Sequence, residues 1–350
     1  MHIVKNLAAS IAFASLSGIS MAGVEFTTIG NDLWGSLQLA DDGTVLFTQT
    51  LKVAPYGTST YKWNKNTGYE PLGSGMYWDT RAISHDGQYV LLRSGATYKY
   101  HTPEGVLEVG KAGWAGQKIS FMSANGRVLA AAEYSSPNVS NPGEGYVNLW
   151  VNGVFQSRLN YPAGNSMMNI SESGDRILLT KGNRDSNGQW YNTASFLGRD
   201  GVITDIPVDF RGVPKMSDDG HSVFSWIDHA ECADGMSVIY NETTGGLTEI
   251  GCKEDTMTPF LISPDGSIVT GYRGGNSTYP EGAYIWDQAN GVRDLKEILL
   301  QNGYNVYGWT NFLVTDISAD GSKLVGTGLN EAGEKRGFIM EVVQECKTGF

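Results

Sequence analysis

One short motif recurs along the whole chain and constrains the fold more than any other feature. The motif has five positions: an apolar residue, serine, any residue, usually aspartate or asparagine, and finally glycine. A β-rich run follows each copy. The seven turn glycines are Gly43, Gly87, Gly126, Gly174, Gly220, Gly266 and Gly321. They are separated by 39 to 55 residues, which fits a four-stranded propeller blade and is too long for leucine-rich or ankyrin units.

The chemistry of each unit predicts four strands, which we label A to D. Asp-Gly between two alternating apolar runs indicates a hairpin, because glycine accepts a positive φ and aspartate tolerates it. The motif serine can close this A–B turn by bonding to nearby backbone, so we expect it to be scaffold and not a nucleophile. A second hairpin, C–D, follows: Tyr61 to Trp63, a turn at Gly68 and a strand ending at Leu72-Gly73 form one copy.

The two ends of the chain complement each other. The seventh unit has a C strand at Phe338 to Val343 but no good D strand after it, whereas Val24 to Ile29 resembles a D strand and has no unit before it. Pairing the two closes the ring and removes the open edges of a linear array. The sequence therefore predicts an all-β, seven-bladed β-propeller whose N- and C-terminal strands pair.

The first 22 residues are expected to be an export signal. Lys5 precedes a mildly apolar stretch, and Ser20-Met21-Ala22 places small side chains around a cleavage site. No later run reaches the roughly 20 apolar residues of a membrane span. We therefore expect a signal peptide over residues 1–22 and one propeller domain over residues 23–350, which is secreted, periplasmic or on the cell surface.

Charge argues against two classes of partner. Without the signal, 24 basic residues stand against 37 acidic residues, a net charge of −13. Nucleic acid and anionic lipid surfaces are bound by clusters of lysine and arginine. Neither is therefore an expected partner.

Two of the three cysteines flank one predicted hairpin. Cys232 precedes the run Met236 to Tyr240, and Cys252 follows the partner run. In an oxidising compartment we expect a Cys232–Cys252 disulfide, with Cys346 left over. Zinc is not expected, because the chain has no C-x-x-C pair and few histidines.

The C-terminal part of the chain carries a family resemblance. The residues concerned are Ala283-Tyr284-Ile285-Trp286, Gly291, Leu295, Trp309, Ile317-Ser318-Ala319-Asp320-Gly321, Val325-Gly326 and Gly337-Phe338-Ile339. This stretch resembles the extracellular HAF-repeat proteins of bacteria, although Gly337-Phe338-Ile339 stands in place of the family's His-Ala-Phe triplet. The resemblance implies export and a propeller fold, and it implies no single activity.

Binding is expected on one face of the ring. The A–B and C–D turns are short and share one side, the short-turn face, whereas the longer and more varied D–A and B–C connections form the long-loop face. The D–A connections carry large aromatic residues, and five of them are candidate ligand contacts: Trp34, Tyr77, Trp78, Trp114 and Trp309. One interpretation is an aromatic platform that stacks on sugars or binds a protein partner. The alternative is that these rings pack between blades.

No catalytic or metal-binding signature stands out. Asp228-His229-Ala230-Glu231 is a candidate metal or acid–base cluster, but no second histidine is near in sequence, and ordering of the loop is the alternative. His85 and His221 flank turn glycines and are expected to be solvent-exposed. The B–C connections Gly182 to Tyr191 and Ile227 to Gly235 are expected to be long loops.

Two functions fit these observations. We expect an exported, non-catalytic binding or adhesion module that holds a glycan or a protein around the channel mouth on the long-loop face. The alternative is a carbohydrate-active hydrolase or lyase with its site at the same mouth. That alternative requires acids or a His/Arg cluster that converge on the long-loop face. No cofactor is expected for either function.

Overall fold

The computed structural model describes residues 23–30, 33–51, 57–75, 78–95, 97–111, 118–134, 145–162, 164–252, 258–274 and 281–343. Within these ranges the chain forms 28 strands and one short helix. The predicted signal peptide and Cys346 lie outside the described residues. In this part of the chain, no helix has the length and apolar character needed to cross a membrane.

The strands follow one another along the chain with short connections. The first fourteen are β1 (Gly23–Ile29), β2 (Leu33–Leu39), β3 (Val45–Leu51), β4 (Gly57–Asn64), β5 (Gly68–Gly75), β6 (Trp78–Ile83), β7 (Val90–Ser94), β8 (Thr97–Thr102), β9 (Gly105–Lys111), β10 (Lys118–Met122), β11 (Val128–Tyr134), β12 (Gly145–Val151), β13 (Val154–Tyr161) and β14 (Asn165–Ile170). The remainder are β15 (Arg176–Arg184), β16 (Trp190–Gly198), β17 (Ile203–Phe210), β18 (Lys215–Met216), β19 (Ser222–His229), β20 (Cys232–Asn241), β21 (Gly246–Cys252), β22 (Thr258–Ile262), β23 (Ile268–Arg273), β24 (Gly282–Asp287), β25 (Gly291–Asp294), β26 (Thr310–Ile317), β27 (Lys323–Leu329) and β28 (Lys335–Val343).

These strands form seven four-stranded antiparallel sheets, the blades of the propeller. Blades 1 to 6 each contain four consecutive strands, starting with β2 to β5 and ending with β22 to β25. Blade 7 has the order β1-β28-β27-β26. The A strands β2, β6, β10, β14, β18, β22 and β26 contact one another in turn, and β26 contacts β2. They therefore surround a central axis, and the predicted seven-bladed propeller is confirmed.

The ring is closed by the two ends of the chain, as predicted. Strand β1 lies antiparallel to β28, and the register pairs Val24 with Val342 and Ile29 with Gly337. The N-terminal strand therefore supplies the D strand that the last unit lacks. This pairing leaves no break between blade 7 and blade 1.

The repeated A–B turn is held by its own serine. The Ser84 hydroxyl donates to Asp86 Oδ1 at 2.6 Å and accepts from the Tyr89 backbone N–H at 2.9 Å. The Ser84 side chain is fully buried. The turns containing Ser123, Ser217, Ser263 and Ser318 repeat both hydrogen bonds. These serines are scaffold, because both roles of each hydroxyl are occupied within the turn.

Among the described residues, the apolar core is divided into seven clusters, one at each junction between successive blades. The cluster between blades 7 and 1, for example, joins Ile29 and Ile339 to Phe47. Each face of a blade is thus covered by its neighbour, so a blade cannot bury its apolar surface alone.

A short helix fills the connection between blades 6 and 7. Helix α1 (Leu295–Gln301) begins after Asp294, whose carboxylate accepts from the Lys296 backbone N–H at 2.7 Å. A carboxylate at this position satisfies N–H groups that have no partner inside the helix. Leu295, Ile298 and Leu299 are buried in the core cluster of blades 6 and 7.

The predicted disulfide is present, and two expected loops are shorter than predicted. Cys232 and Cys252 are bonded, with their Cα atoms 5.2 Å apart, at the open end of the β20–β21 hairpin. Strand β19 continues to His229 and β20 begins at Cys232, so this B–C connection is a tight turn. Likewise β15 and β16 leave only residues 185–189 between them, because Asp185 Oδ1 accepts from the Asn187 and Gln189 N–H groups.

Candidate binding surfaces at the two ends of the channel

Trp78 and Trp309, two of the predicted platform residues, pack against neighbouring strands. A Cβ atom placed on Gly73 would lie 2.3 Å from the Trp78 indole, so the ring covers the backbone of the outer strand of blade 1. The Trp309 ring stacks on Phe312 with centroids 5.6 Å apart and meets Phe26 edge-on at 5.7 Å. Both indoles are half-buried. They therefore contribute to packing at blade junctions and keep only part of each ring open to solvent.

The other three predicted platform residues lie outside the described part of the structure in whole or in part. Trp34 belongs to β2, but its side chain is not among those described. Tyr77 and Trp114 lie in ranges that the structure does not describe. A platform that includes them stays a prediction.

The exposed indole on the described part of the long-loop face belongs to Trp190, which the motif analysis missed. Its side chain is 60% exposed, at the start of β16 beside the B–C turn of blade 4. Arg184, its cross-strand partner, holds its guanidinium carbon 4.4 Å from the ring centroid. The sequence signal was a tryptophan directly after the polar run Asp185 to Gln189. Such a position is outside the core pattern of the repeat.

Arg211 braces the backbone beneath this indole. It lies in the D–A connection between blades 4 and 5 and donates to the Trp190 carbonyl at 2.9 Å and to Asp185 at 3.0 Å. Its Nε donates to Asp228 Oδ2 at 2.7 Å. Both carboxylates raise the pKa of Arg211, first through the hydrogen bond of Asp228 and then through that of Asp185. We call Trp190, Arg184, Arg211 and Val213 the Trp190 surface; Val213 is also 60% exposed.

The candidate cluster around His229 orders its turn. His229 Nδ1 accepts from the Glu231 backbone N–H at 3.3 Å, and its Nε2 lies 3.8 Å from Glu249 Oε1. Asp228 is committed to Arg211. Among the residues that the structure describes, no group of three or more His, Cys, Asp or Glu side chains is placed to hold a metal ion. This arrangement agrees with the alternative that these residues order the turn.

The A–B turns converge at the opposite end of the channel, on the short-turn face. A cavity of about 630 Å³ opens there, and its lining includes Asp41, His85, Glu172, Pro264 and Ala319. These five occupy the same place in the repeat, the variable residue directly after the motif serine position. Backbone hydrogen bonds join neighbouring turns, as from Asp41 N–H to the His85 carbonyl at 2.7 Å.

His85 spans this end of the channel. Its Nε2 lies 3.1 Å from Asp218 Oδ2, so blade 2 is joined to blade 5 on the far side of the axis. Burial disfavours the charged imidazole, but the hydrogen bond and charge of Asp218, with the charges of Asp41 and Asp316, outweigh it. Together they raise the pKa of His85 to about 9. The expectation that His85 is solvent-exposed was wrong, because its side chain is only 16% exposed.

Asp316 lies deeper on the innermost strand of blade 7. Its carboxylate accepts from the Leu39 N–H at 2.8 Å and from the Ile317 N–H at 2.9 Å. Burial is the main cause that raises its pKa to about 7, and the negative charge of Asp218 acts in the same direction. The two backbone hydrogen bonds and the positive charge of the His85 imidazolium act in the opposite direction. Asp316, His85 and Asp218 are thus an electrostatically linked group that couples three blades.

Lys215 occupies in blade 5 the repeat position that Asp316 occupies in blade 7. Its ammonium donates to the Phe260 carbonyl at 2.7 Å and lies 4.2 Å from the centroid of the Phe260 ring. Burial lowers its pKa to about 8. Asn169, the equivalent residue of blade 4, donates to the Met216 carbonyl at 2.8 Å. In blades 4, 5 and 7 a polar residue at this position therefore ties the inner strand to the inner strand of the next blade.

Comparison with known proteins shows the fold. No protein-family model matches the chain, and no curated protein matches it significantly. Among solved structures, an oligogalacturonate lyase in complex with manganese has a TM-score of 0.62 and 10% identity, covering 92% of this chain and 97% of that chain. The oligogalacturonate lyase of Vibrio parahaemolyticus has a TM-score of 0.63 and 12% identity, covering 93% and 98%.

A third similar structure is the β-propeller domain of the Trilobed protease from Pyrococcus furiosus. It has a TM-score of 0.62 and 10% identity and covers 93% of this chain and 100% of that domain. That domain has an open velcro topology, whereas β1 and β28 pair in this protein. Such low identities establish a common propeller architecture and leave activity to be argued from this chain's own residues.

Proposed function

We propose that this protein is an exported, non-catalytic binding module whose ligand lies on the long-loop face, with Trp190 as an anchor. The observation that carries the proposal is an exposed indole on a braced hairpin. Trp190 is 60% exposed, Arg184 lies over its ring, and Arg211 holds its backbone. The ligand class is a neutral glycan or a peptide.

Physical chemistry favours this role for the Trp190 surface. Tryptophan and arginine are the residues that most often dominate binding energy, because a large ring desolvates on contact and offers several kinds of interaction. A side chain that is ordered before the ligand arrives loses less entropy on binding. Tyr307, 76% exposed in the connection to blade 7, adds a second ring to the same face. Trp34, Tyr77 and Trp114 are further candidate contacts there.

Export is part of the proposal. The Cys232–Cys252 disulfide is compatible with an oxidising compartment, where such bonds persist. The net charge of −13 after removal of the signal disfavours polyanionic ligands.

The test is a comparison of Trp190→Ala with the wild-type protein on a glycan array and a peptide array. We expect the variant to lose about tenfold or more in affinity for the ligand that the wild type selects. Its unfolding midpoint in urea should stay unchanged, because the ring is exposed. Phe155→Ala is the matched control: Phe155 is 52% exposed on the outer strand of blade 3, away from the long-loop face. Equal binding by Trp190→Ala and the wild type would contradict the proposal.

The second candidate function is a carbohydrate-active lyase or hydrolase, favoured by one observation. His85, Asp218 and Asp316 bring a histidine and two acids together in the channel, and the pKa of Asp316 is raised to about 7. A group that titrates near neutral pH suits general acid–base catalysis. These residues lie toward the short-turn face, at the other end of the channel from the expected mouth.

The enzyme hypothesis is tested with oligogalacturonate, the substrate named for two of the similar structures. Protein with and without added manganese is incubated with this substrate, and chain cleavage is followed by chromatography. Cleavage that is abolished in Asp316→Asn and His85→Ala would favour the enzyme over the binding module. Intact substrate in every sample counts against a lyase of this specificity.

A further inference from the structure

We propose a second ligand site, in the crevice where blades 7 and 1 meet, that binds a neutral saccharide. A cavity of about 410 Å³ lies there, lined by Thr28, Gly30, Gln49, Tyr61, Tyr69 and Arg336. Its volume falls in the range of pockets that hold small ligands, about 300–1,000 Å³. It is formed by residues of blades 7 and 1, whereas the Trp190 surface belongs to blades 4 and 5.

Two tyrosines form an aromatic corner in this cavity. Tyr61 stacks on Phe47 with centroids 5.6 Å apart and an angle of 25° between the ring planes. Tyr69 stands nearly perpendicular to Tyr61, at 85° and 6.4 Å. The two rings therefore offer surfaces in two directions, and the C–H faces of a sugar ring can pack on either one.

Tyr69 is held in place and yet open to solvent. Its ring also meets Phe47 edge-on at 6.1 Å, and its hydroxyl accepts from the Gly30 backbone N–H at 3.2 Å. The side chain remains 55% exposed. A large ring with this much open surface adds little to the core, so its ordered position is available for a ligand.

Polar groups beside the rings suit a hydroxyl-bearing ligand that carries no net charge. Gln49 and Arg336 line the cavity with amide and guanidinium groups, which can donate to sugar hydroxyls. Arg336 forms an ion pair with Glu334 at 2.8 Å, so the local charge is balanced. A neutral saccharide matches this combination of stacking surface, hydrogen-bond donors and absent net charge.

The repeat supplies a matched control for Tyr69. Tyr69 directly follows the C–D turn glycine Gly68, and Leu247 directly follows Gly246 at the equivalent place in blade 5. Leu247 is 45% exposed. Shortening either side chain to alanine therefore removes an exposed apolar group from the same strand position, but only Tyr69 lines the cavity.

The experiment measures binding of two neutral probes, cellotetraose and tetra-N-acetylchitotetraose, to the full mature protein by isothermal titration calorimetry. We expect at least one probe to bind. Tyr69→Ala should weaken binding by about tenfold or more, and Arg336→Gln by a smaller factor. Leu247→Ala should bind as the wild type does. Thermal unfolding of each variant, followed by circular dichroism, should match the wild type.

Two results would overturn the site. One is no binding of either probe by the wild type, and the other is unchanged binding by a folded Tyr69→Ala variant. Trp190→Ala separates this site from the proposed function, because it should leave probe binding at the crevice intact. If Trp190→Ala abolishes probe binding and Tyr69→Ala does not, the saccharide lies on the Trp190 surface and the crevice site is rejected while the binding module stands.

Discussion

Ile29→Ala is expected to destabilise the protein by about 3–4 kcal/mol, because this one side chain links the closing strand to the next blade. Ile29 lies in β1 of blade 7 and is only 1% exposed. It packs in a cluster with Leu33 and Phe47 of blade 1 and Ile339 of blade 7. Its cross-strand partner is Gly337, where an added Cβ would lie 3.0 Å from Ile29 Cγ1.

The magnitude follows from the loss of buried methyl groups in a site that is closed on both sides. Truncation of buried isoleucine to alanine costs roughly 2–5 kcal/mol, and the cost is larger where neighbours cannot collapse into the cavity. Two sheets held by separate backbone ladders limit such collapse, so we place the value above the lower end of the range, at about 3–4 kcal/mol. The assay is equilibrium unfolding in urea, followed by tryptophan fluorescence.

Thr28→Ala is the control for this experiment. Thr28 is the preceding residue of the same strand and is exposed, so its truncation should cost less than about 1 kcal/mol. A small and equal effect of both substitutions would show that β1 does not seal the ring, and the account of closure given above would be refuted.

Three further predictions concern the channel, the disulfide and the packed indoles. Because the pKa of His85 is raised from 6.5 to about 9, the His85–Asp218 pair contributes stability that is fully present below pH 6.5 and is lost as the pH rises through 9. The urea midpoint of the wild type should therefore fall between these pH values. The midpoint of His85→Ala should fall less over the same interval. Replacing Cys232 and Cys252 together by alanine opens a loop with a sequence separation of 20 and should lower the free energy of unfolding by about 3 kcal/mol, whereas an unchanged midpoint would assign the bond no stabilising role. Trp78→Ala should cost about 2 kcal/mol, roughly half the usual value for a fully buried ring, and a Trp78→Ala variant that keeps full stability but loses ligand would restore Trp78 to the binding platform.

Features set by local chemistry were predictable from the sequence. The A–B turn, for example Ser84-His85-Asp86-Gly87, is formed by hydrogen bonds between residues that are close in sequence. Each blade has one copy of its motif, so the seven copies predicted seven blades. The disulfide followed from two cysteines on one hairpin. The pairing of β1 with β28 was predictable from the number of strands in each unit. The seventh unit lacked a D strand, and Val24 to Ile29 resembled one.

Features set by the ring as a whole were not predictable in the same way. His85 and Asp218 are both the variable residue of the motif, and they meet only because their blades face each other across the axis. Trp190 stays exposed because β15 and β16 extend to a tight turn, where a long loop was expected. Asp185 and Asp228 lie in two separate connections that were expected to be long loops, and both are held by Arg211, which comes from a third segment of the chain.

The pairing of β1 with β28 also determines the order in which this protein can fold. Gly23 pairs with Val343, so β1 needs a partner strand that is synthesised only after blades 1 to 6. Contacts between such distant segments form slowly, because a long loop must close before they contribute. Until β1 and β28 pair, each of these two strands has a free edge on which strands of other chains can pair. The propeller is therefore most exposed to aggregation before this ring closure. Substitutions in the β1–β28 ladder should also change the rate of refolding by more than their effect on native stability would suggest.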